Sequence, residues 1–522
     1  MIQMIATISL VVFIAVMLAV GIFSSRRISG VDGFLLGGRS VGPWLSAFSY
    51  GTSYFSAVIF IGYAGMHGWN IGIGSMWIGI GNAVLGCWLA WKLLAKRTRN
   101  MTRNLNARTM PEFFAGRFES SGMKIFAAAI IFIFLVPYAA SVYKGLGTMF
   151  SAIYNGASPV ICMALVAILT GIYLVLGGYM ATALNDLIQG IIMIFGIGAM
   201  VMILVNRPEV GGFANIMPAL DSISPQLTDV FGGSSGSFLV TNIMLTSFGV
   251  WGLPQMVHKY YAIKDESGIR QATVISTVFA LIIGCGAYFV GSLSRLFLSA
   301  NPDGTPAVAG GFDGVMPAVL MKALTENTFS MVILSIIMLL LLSASMSTLS
   351  AVVLSSSSAV SVDLVGEIRP DIEDRKQMLM MRGLCVVFIA LSFIFATMNI
   401  SFIVNLMSFS WGVIAGSFIG PFLWGVYSRR TTKAGAWAGL LSGVLVVGGT
   451  LAVLTATMGF ESAKAFAPQM GVAAMIVSVI AVPLVSLVTK KPAQETVSLA
   501  FDGMREPVIS NRRDIKEMRK SA

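Results

Sequence analysis

Charge is what this sequence has least of: Asp, Glu, Lys and Arg make up 11% of its 522 residues, against about a quarter in soluble domains. Only two histidines occur, His67 and His258, too few for a haem or a multi-histidine metal centre. The four cysteines, Cys87, Cys162, Cys285 and Cys385, stand singly in apolar runs, which excludes a CxxC redox pair, a zinc cluster and a disulfide framework. No nucleophile and base pair or cofactor fingerprint emerges from the loops, so an enzyme is not expected. Nucleic acid is not an expected partner either, despite the net charge of +11, because the basic residues fall in short clusters between apolar runs. That is the pattern of membrane topology.

What is abundant is apolar: 56% of residues, with a mean hydropathy of +0.84, as in an all-α integral membrane protein. Thirteen transmembrane helices are expected, at about 3–25, 44–66, 72–95, 122–151, 158–176, 180–204, 238–260, 271–298, 328–362, 377–398, 401–427, 433–457 and 469–489. The first lacks a basic start and an Ala-x-Ala cleavage site and reads as an uncleaved span. Basic clusters at Arg26, Arg27 and Arg39, at Lys96 to Arg117, at Lys259, Lys264 and Arg270, at Arg369 to Lys376 and at Arg429 to Lys433 alternate with loops holding only Arg207, Lys322 and Lys464. The positive-inside rule then places the N-terminus outside and the C-terminus in the cytoplasm, in a bacterial cytoplasmic membrane. Residues 1–489 are expected to form one transmembrane domain, and 490–522 a solvated cytoplasmic tail within reach of anionic lipid.

Two spans invite a break. In WLSAFSYGTSYFSAVIF, Gly51 lies among Ser49, Thr52, Ser53 and Ser56; in TSFGVWGLPQM, Gly249, Gly252 and Pro254 interrupt the seventh span. They would open two five-helix blocks, about 44–204 and 238–427, the arrangement of inverted-repeat transporters with discontinuous helices at the midplane. The alternative is that the glycines allow close helix packing and the proline makes a kink.

The stretches DGFLLGGRSVGPW, ARTMPEFFAGRF, LGGYMATALNDLIQG, SASMSTLSAVVLSSSSA and WGVIAGSFIGPFLWGVY follow one another between residues 32 and 427. In this order and spacing the chain resembles the sodium:solute symporter family, which includes sodium/proline and sodium/glucose carriers. The resemblance implies a five-plus-five inverted repeat of the leucine-transporter type, with one extra N-terminal and two extra C-terminal helices. It also implies a sodium ion between the ninth span and the break in the second. Carried over by position, its ligands are the carbonyls of Thr52, Phe55 and Ala344 and the hydroxyls of Ser347 and Thr348. Physical chemistry supports that choice. A hard cation takes several oxygens, Ala344, Ser347 and Thr348 share one helix face at i, i+3 and i+4, and neutral oxygens suit an ion that must leave on every cycle. The other hydroxyls of this span, on Ser343, Ser345 and Ser355 to Ser358, read as bonds to the carbonyl one turn earlier.

Two intramembrane charges call for partners. Asp186 matches an acidic position that in some family members joins a second sodium site, with Ser347, Ser350 and Ala351 as the matching positions here. Ala351 departs from that pattern by lacking an oxygen. Three readings of Asp186 stand: a second sodium, a gate for ion release, and an anchor bonded to Asn185 or Gln189. For Lys144 there are two, a stem snorkelling to the interface and an ammonium that attracts an anionic group of the substrate.

Substrate is expected near the breaks, at Tyr54, Ser56, Ala57, Ser141, Thr246, Val250, Trp251 and Ser410. A proline carrier of the family has aspartate where this chain has Tyr54 and tyrosine where it has Val250; sugar carriers place amides and carboxylates at the positions of Tyr54, Val58 and Ile59. Without such groups each buried sugar hydroxyl left unpaired would cost about 1–3 kcal/mol. The expected function is therefore sodium-coupled symport, by alternating access, of an amino acid or monocarboxylate with an apolar body. Sodium, the solute and membrane lipid are the expected ligands, and a monomer suffices. The alternatives are a proton-coupled carrier, a sodium-coupled sugar or vitamin transporter and, in another class, a solute-sensing receptor or channel.

Overall fold

In hydrocarbon every backbone polar group needs a partner inside the protein, and an apolar run meets that need by coiling into helix. The computed structural model describes residues 2–25, 30–154, 156–325, 328–398 and 402–504, and these are helical apart from loops and two isolated β-bridges. In chain order the main helices are α1 (Ile2–Ser25), α2 (Pro43–Tyr54), α3 (Ala64–Ile71), α4 (Ser121–Ile153), α5 (Pro159–Val205), α6 (Gly236–Gly252) and α7 (Pro254–Ala262). They continue with α8 (Glu266–Ser292), α9 (Thr328–Ser358), α10 (Asp374–Thr397), α11 (Ile403–Tyr427), α12 (Lys433–Met458) and α13 (Ala467–Val488). Side-chain caps start several of them: Ser120 for α4, Asp265 for α8 and Thr432 for α12 each accept a first-turn N–H.

Among the described residues ten segments are long and apolar enough to cross a membrane, and the bent pair of α6 and α7 makes an eleventh. Two of the ten, Val58–Asn104 and Pro159–Val205, are 47 residues long. Each would measure about 70 Å as a straight helix, against a hydrocarbon layer of about 30 Å. Both turn at a glycine with positive φ, Gly72 (φ 68°, ψ −136°) and Gly178 (φ 53°, ψ −152°), a conformation that side chains with a Cβ resist.

Burial separates centre from rim. The most apolar stretch of α11 is 83% buried, whereas those of α1, α10 and α12 are 28% buried. The rim helices turn apolar side chains such as Ile8, Val12, Leu445 and Leu484 outward, as a lipid-facing surface requires. Helix α5 packs on α1, α2 and α9, α8 on α2 and α3, and α11 on α4, α6, α12 and α13. The entry to α2 is tied to the exit of α7, since Val41 donates its N–H to Ala262 O (3.2 Å) and accepts from Lys264 N–H (3.0 Å).

Both broken helices are present, with the interruptions displaced from the glycines. Helix α2 runs through Gly51 to Tyr54, and the interruption falls at Phe55 and Ser56, where Phe55 is extended (φ −99°, ψ 96°). Gly51 serves packing instead: a Cβ there would overlap the Phe279 ring of α8. Gly249 and Gly252 are likewise helical, and Cβ atoms on them would meet Trp411 and the Ala415 backbone at 3.0 Å. The second interruption is Leu253 (φ −81°, ψ 122°), with Pro254 the first residue of α7 and a bend of 48°. Lys259, assigned from the sequence to a cytoplasmic loop, is a buried residue of α7. The tail is not wholly solvated, for a short helix, Gln494–Ala500, buries Val497 and Ala500 and receives a hydrogen bond from Asn104 Nδ2 at Ala500 O (3.2 Å). Arg26, Arg27 and the tail beyond residue 504 lie outside the described residues.

If Gly51 is a packing residue, Gly51→Val overpacks the α2–α8 contact and lowers the thermal unfolding midpoint in detergent, at a cost of about 1–3 kcal/mol. Gly51→Val with Phe279→Ala is expected to recover part of that loss.

Candidate functional site

The interruption of α2 frees backbone oxygens, and α9 meets them with hydroxyls. Thr348 Oγ1 donates within reach of three carbonyls, Ala344 O (3.0 Å), Ser53 O (3.2 Å) and Thr52 O (3.4 Å). Ser347 Oγ donates to Thr52 Oγ1 (2.7 Å), which in turn donates to Phe48 O (2.8 Å). Thr52, Ala344, Ser347 and Thr348 are all fully buried. The structure thus brings together four of the five residues named from the sequence for a cation. It adds Ser53, which sequence reasoning missed although it adjoins Thr52. Phe55 supplies the extended turn itself.

This junction is a cluster of neutral oxygens from two helices, three carbonyls and three hydroxyls, and the Asp186 carboxylate reaches its edge at Ser347. Such a donor set fits a hard monovalent cation that binds and then escapes. Elsewhere on α9, Ser357 Oγ bonds to Val353 O and Ser358 Oγ to Ser355 O, the expected return to the preceding turn. Ser343, Ser345 and Ser356, by contrast, have no hydrogen-bond partner for their hydroxyls among the described residues.

The expected substrate residues divide by role. Tyr54 OH donates to Thr246 O (2.7 Å), joining the end of α2 to α6, and its ring stacks on Trp411 at 6.3 Å. Tyr138 meets Trp411 edge-on at 5.6 Å. Neither Tyr138 nor Trp411 was singled out from the sequence, where each is one aromatic among many. Ser56 lies in the interruption, Ala57 opens the helical run after it, and Val250 is buried on α6. The remaining polar groups are already engaged. Thr246 Oγ1 donates to Asn82 Oδ1 (2.8 Å), Trp251 Nε1 to Leu85 O (3.1 Å), Ser141 Oγ to Tyr138 O (2.7 Å) and Ser410 Oγ to Phe134 O.

The two intramembrane charges have partners that the sequence did not disclose. Asp186 Oδ2 accepts from Ser49 Oγ (2.5 Å), and Ser49 Oγ accepts from Lys259 Nζ (2.7 Å). Neither Asn185 nor Gln189 bonds to Asp186, so the anchor reading is corrected. Ser350 Oγ is committed to Ser347 O (2.9 Å). Lys144 does not join the central residues. Its neighbour Gly145 is the one that packs against Ala57, while the Lys144 ammonium forms an ion pair with Asp313 (3.2 Å) at the edge of a cavity of about 670 Å³. Asp313 also accepts from Ile403 N–H. Burial holds its carboxyl above the usual carboxylate range, and the Lys144 ammonium opposes that shift.

The chain is similar to known proteins over most of its length. The family model described as "Sodium:solute symporter family" matches residues 34–443. The osmoregulated proline transporter OpuE of Bacillus subtilis is 27% identical over 511 residues, covering 97% of this chain and 99% of that protein. The sodium/proline symporter of Salmonella typhimurium is 30% identical over 441 residues, 84% of this chain and 86% of its own. Among solved structures, a Na+-coupled sialic acid symporter in a substrate-bound outward-open state superposes with a TM-score of 0.73 at 19% identity, covering 94% of this chain and 99% of that one, which shows a shared fold.

If Lys144 serves Asp313 rather than solute, Lys144→Met strands a buried carboxylate and lowers the unfolding midpoint more than Lys144→Met with Asp313→Asn does. A thermal double-mutant cycle should return a coupling energy of about 0.5–3 kcal/mol, and additivity would dissolve the pair.

Proposed function

Because the chain belongs to the sodium:solute symporter family, we propose that it imports a small solute with an apolar body, an amino acid or monocarboxylate, together with sodium by alternating access. The observation that carries this reading is the junction of α2 and α9, where Ser347 and Thr348 meet the carbonyls beside the interruption. Sodium, as cargo, would be held there by the oxygens of Thr52, Phe55, Ala344, Ser347 and Thr348. Holding α2 to α9 favours one arrangement of the interrupted helix and so raises solute affinity, by a coupling typically of about 1–3 kcal/mol. Loss of the ion to the low-sodium side releases that constraint and the solute with it.

The solute would lie beside the interruptions, walled by Tyr54, Trp411 and Tyr138, with Ser56, Ala57 and Val250 completing the surface. No carboxylate or ammonium group belongs to that wall, which suits a small solute whose own charges are met by helix ends and whose body packs on rings. Proline is the first candidate, since the curated relatives are named for it. We divide the long helices at Gly72 and Gly178 and take α2 with α3 and α6 with α7 as single crossings, a reading of thirteen spans. We place the N-terminus outside on the distribution of basic residues.

A thermal-shift screen of the purified protein against proline, other amino acids, monocarboxylates and sugars, in sodium and in potassium, tests this reading. A cognate solute is expected to stabilise the protein in sodium and not in potassium, by an amount set by its concentration over Kd. Ser347→Ala with Thr348→Ala should abolish the sodium effect. Equal stabilisation in potassium would refute sodium coupling and favour a proton-coupled carrier.

A further inference from the structure

The helix that follows α13, Gln494–Ala500, has seven residues, too few to stay helical in water unaided, so it is held by what it docks on. Val497 and Ala500 are buried. Phe501, 4% exposed, has its ring 5.3 Å from the Arg117 guanidinium and 5.2 Å from that of Arg429. Arg117 is itself fully buried, and carbonyls receive its N–H groups, Gly425 O (3.1 Å) and Ser428 O (2.8 Å). A ring is a suitable further partner for a desolvated guanidinium. Thr496 adds a hydrogen bond to Glu119.

These anchors belong to one group of elements. The helix Met110–Phe118 packs on α4 and bonds through Arg117 to α11, and Arg429 follows α11. The far end of the docked segment meets another group. Asn104 Nδ2 donates to Ala500 O (3.2 Å) and Asp502 O (2.9 Å), carbonyls at and just past a helix end, where the helix itself offers no donor. Asn104 closes the helix Lys96–Asn104, which packs on α7 and is fastened to the turn between α7 and α8. Arg99 donates there to Ile263 O (3.2 Å) and Lys264 O (2.6 Å), and Lys96 pairs with Glu266 (2.7 Å). Arg97 also touches Val426 and Tyr427 across the boundary between the groups. The docked segment crosses that boundary without belonging to any span, so it can leave while every span stays folded.

Opening toward the face where the basic loops gather needs the two groups to part. We propose that residues 494–502 are a latch on that face: docked, they hold α7 and the helix Lys96–Asn104 to the helix Met110–Phe118 and α11, and inward opening requires release of the Asn104 clasp. The latch presupposes the alternating-access reading above and adds a control element to it.

Pulsed electron spin resonance on the purified full chain reads the separation of the groups from nitroxides attached at Lys264→Cys and Arg430→Cys, both exposed, whereas the native cysteines are buried or half-buried. In potassium, ending the chain at Ala493 should raise the ratio of long to short separations by about fivefold or more, the least that two ordinary hydrogen bonds supply. Asn104→Ala, which removes only the clasp, should do the same and decides if the shortened chain fails to fold. A chain ending at Met504 keeps the latch and should match the full chain. Unchanged separations in folded Asn104→Ala, or an equal shift in the chain ending at Met504, overturn the latch. Sodium with proline, added to the full chain, forms a separate arm. Separations that respond to these ligands but not to Asn104→Ala sink the latch alone; separations that respond to Asn104→Ala but not to sodium support the latch and count against the sodium reading.

Discussion

Hydrocarbon offers no hydrogen bond to a backbone group, so wherever a buried membrane helix stops, the protein must provide partners for what the stop lays bare. Here α2 stops at Tyr54 in the interior, and its last carbonyls would be orphaned without α9. Thr348 and Ser347 answer that need from one face of a continuous helix. A hydroxyl can do so because it donates one bond and keeps lone pairs to offer a cation. Valine or alanine at these positions would leave the interruption unsupported and the oxygens too few to replace a hydration shell.

The same constraint explains how charge is arranged around the junction. Two charge pairs near the core join separate elements: Lys144 with Asp313 beside the large cavity, Lys259 with Asp186 through Ser49. These contacts join separate helices, so any motion that opens one face of the molecule must carry the pair intact or break it at considerable cost. Helix α2 carries Ser49 toward one pair and Thr52 toward the hydroxyls of α9, so the state of the ion junction and that of the buried charge pair are mechanically linked.

Much of this was legible in the sequence because it depends on period and residue type. The i, i+3, i+4 spacing of Ala344, Ser347 and Thr348 located the hydroxyl face, and the apolar runs located nearly every helix. Gly51 misled because glycine has two uses in a membrane, relief of a turn and relief of a contact, and only the position of Phe279 on a distant helix separates them. Lys259 was missed because it stands near His258, Lys264 and Arg270 at the end of an apolar run, where a basic residue normally marks the interface. Its partner is 210 positions away in the chain, beyond the reach of any local pattern. Tyr138 and Trp411 were hidden among aromatics for the same reason, since no spacing rule links residues on α4 and α11.

The account turns on whether the oxygens at the end of α2 and on the facing turn of α9 enclose an ion. A high-resolution map of the protein in sodium, compared with one in a large organic cation, observes this directly. The expected result is one spherical peak present only in sodium, in coordination contact with Thr52 O, Ala344 O, Ser347 Oγ and Thr348 Oγ1. A sodium map with no peak there, and with Thr348 still bonded to Ser53 O, would contradict it.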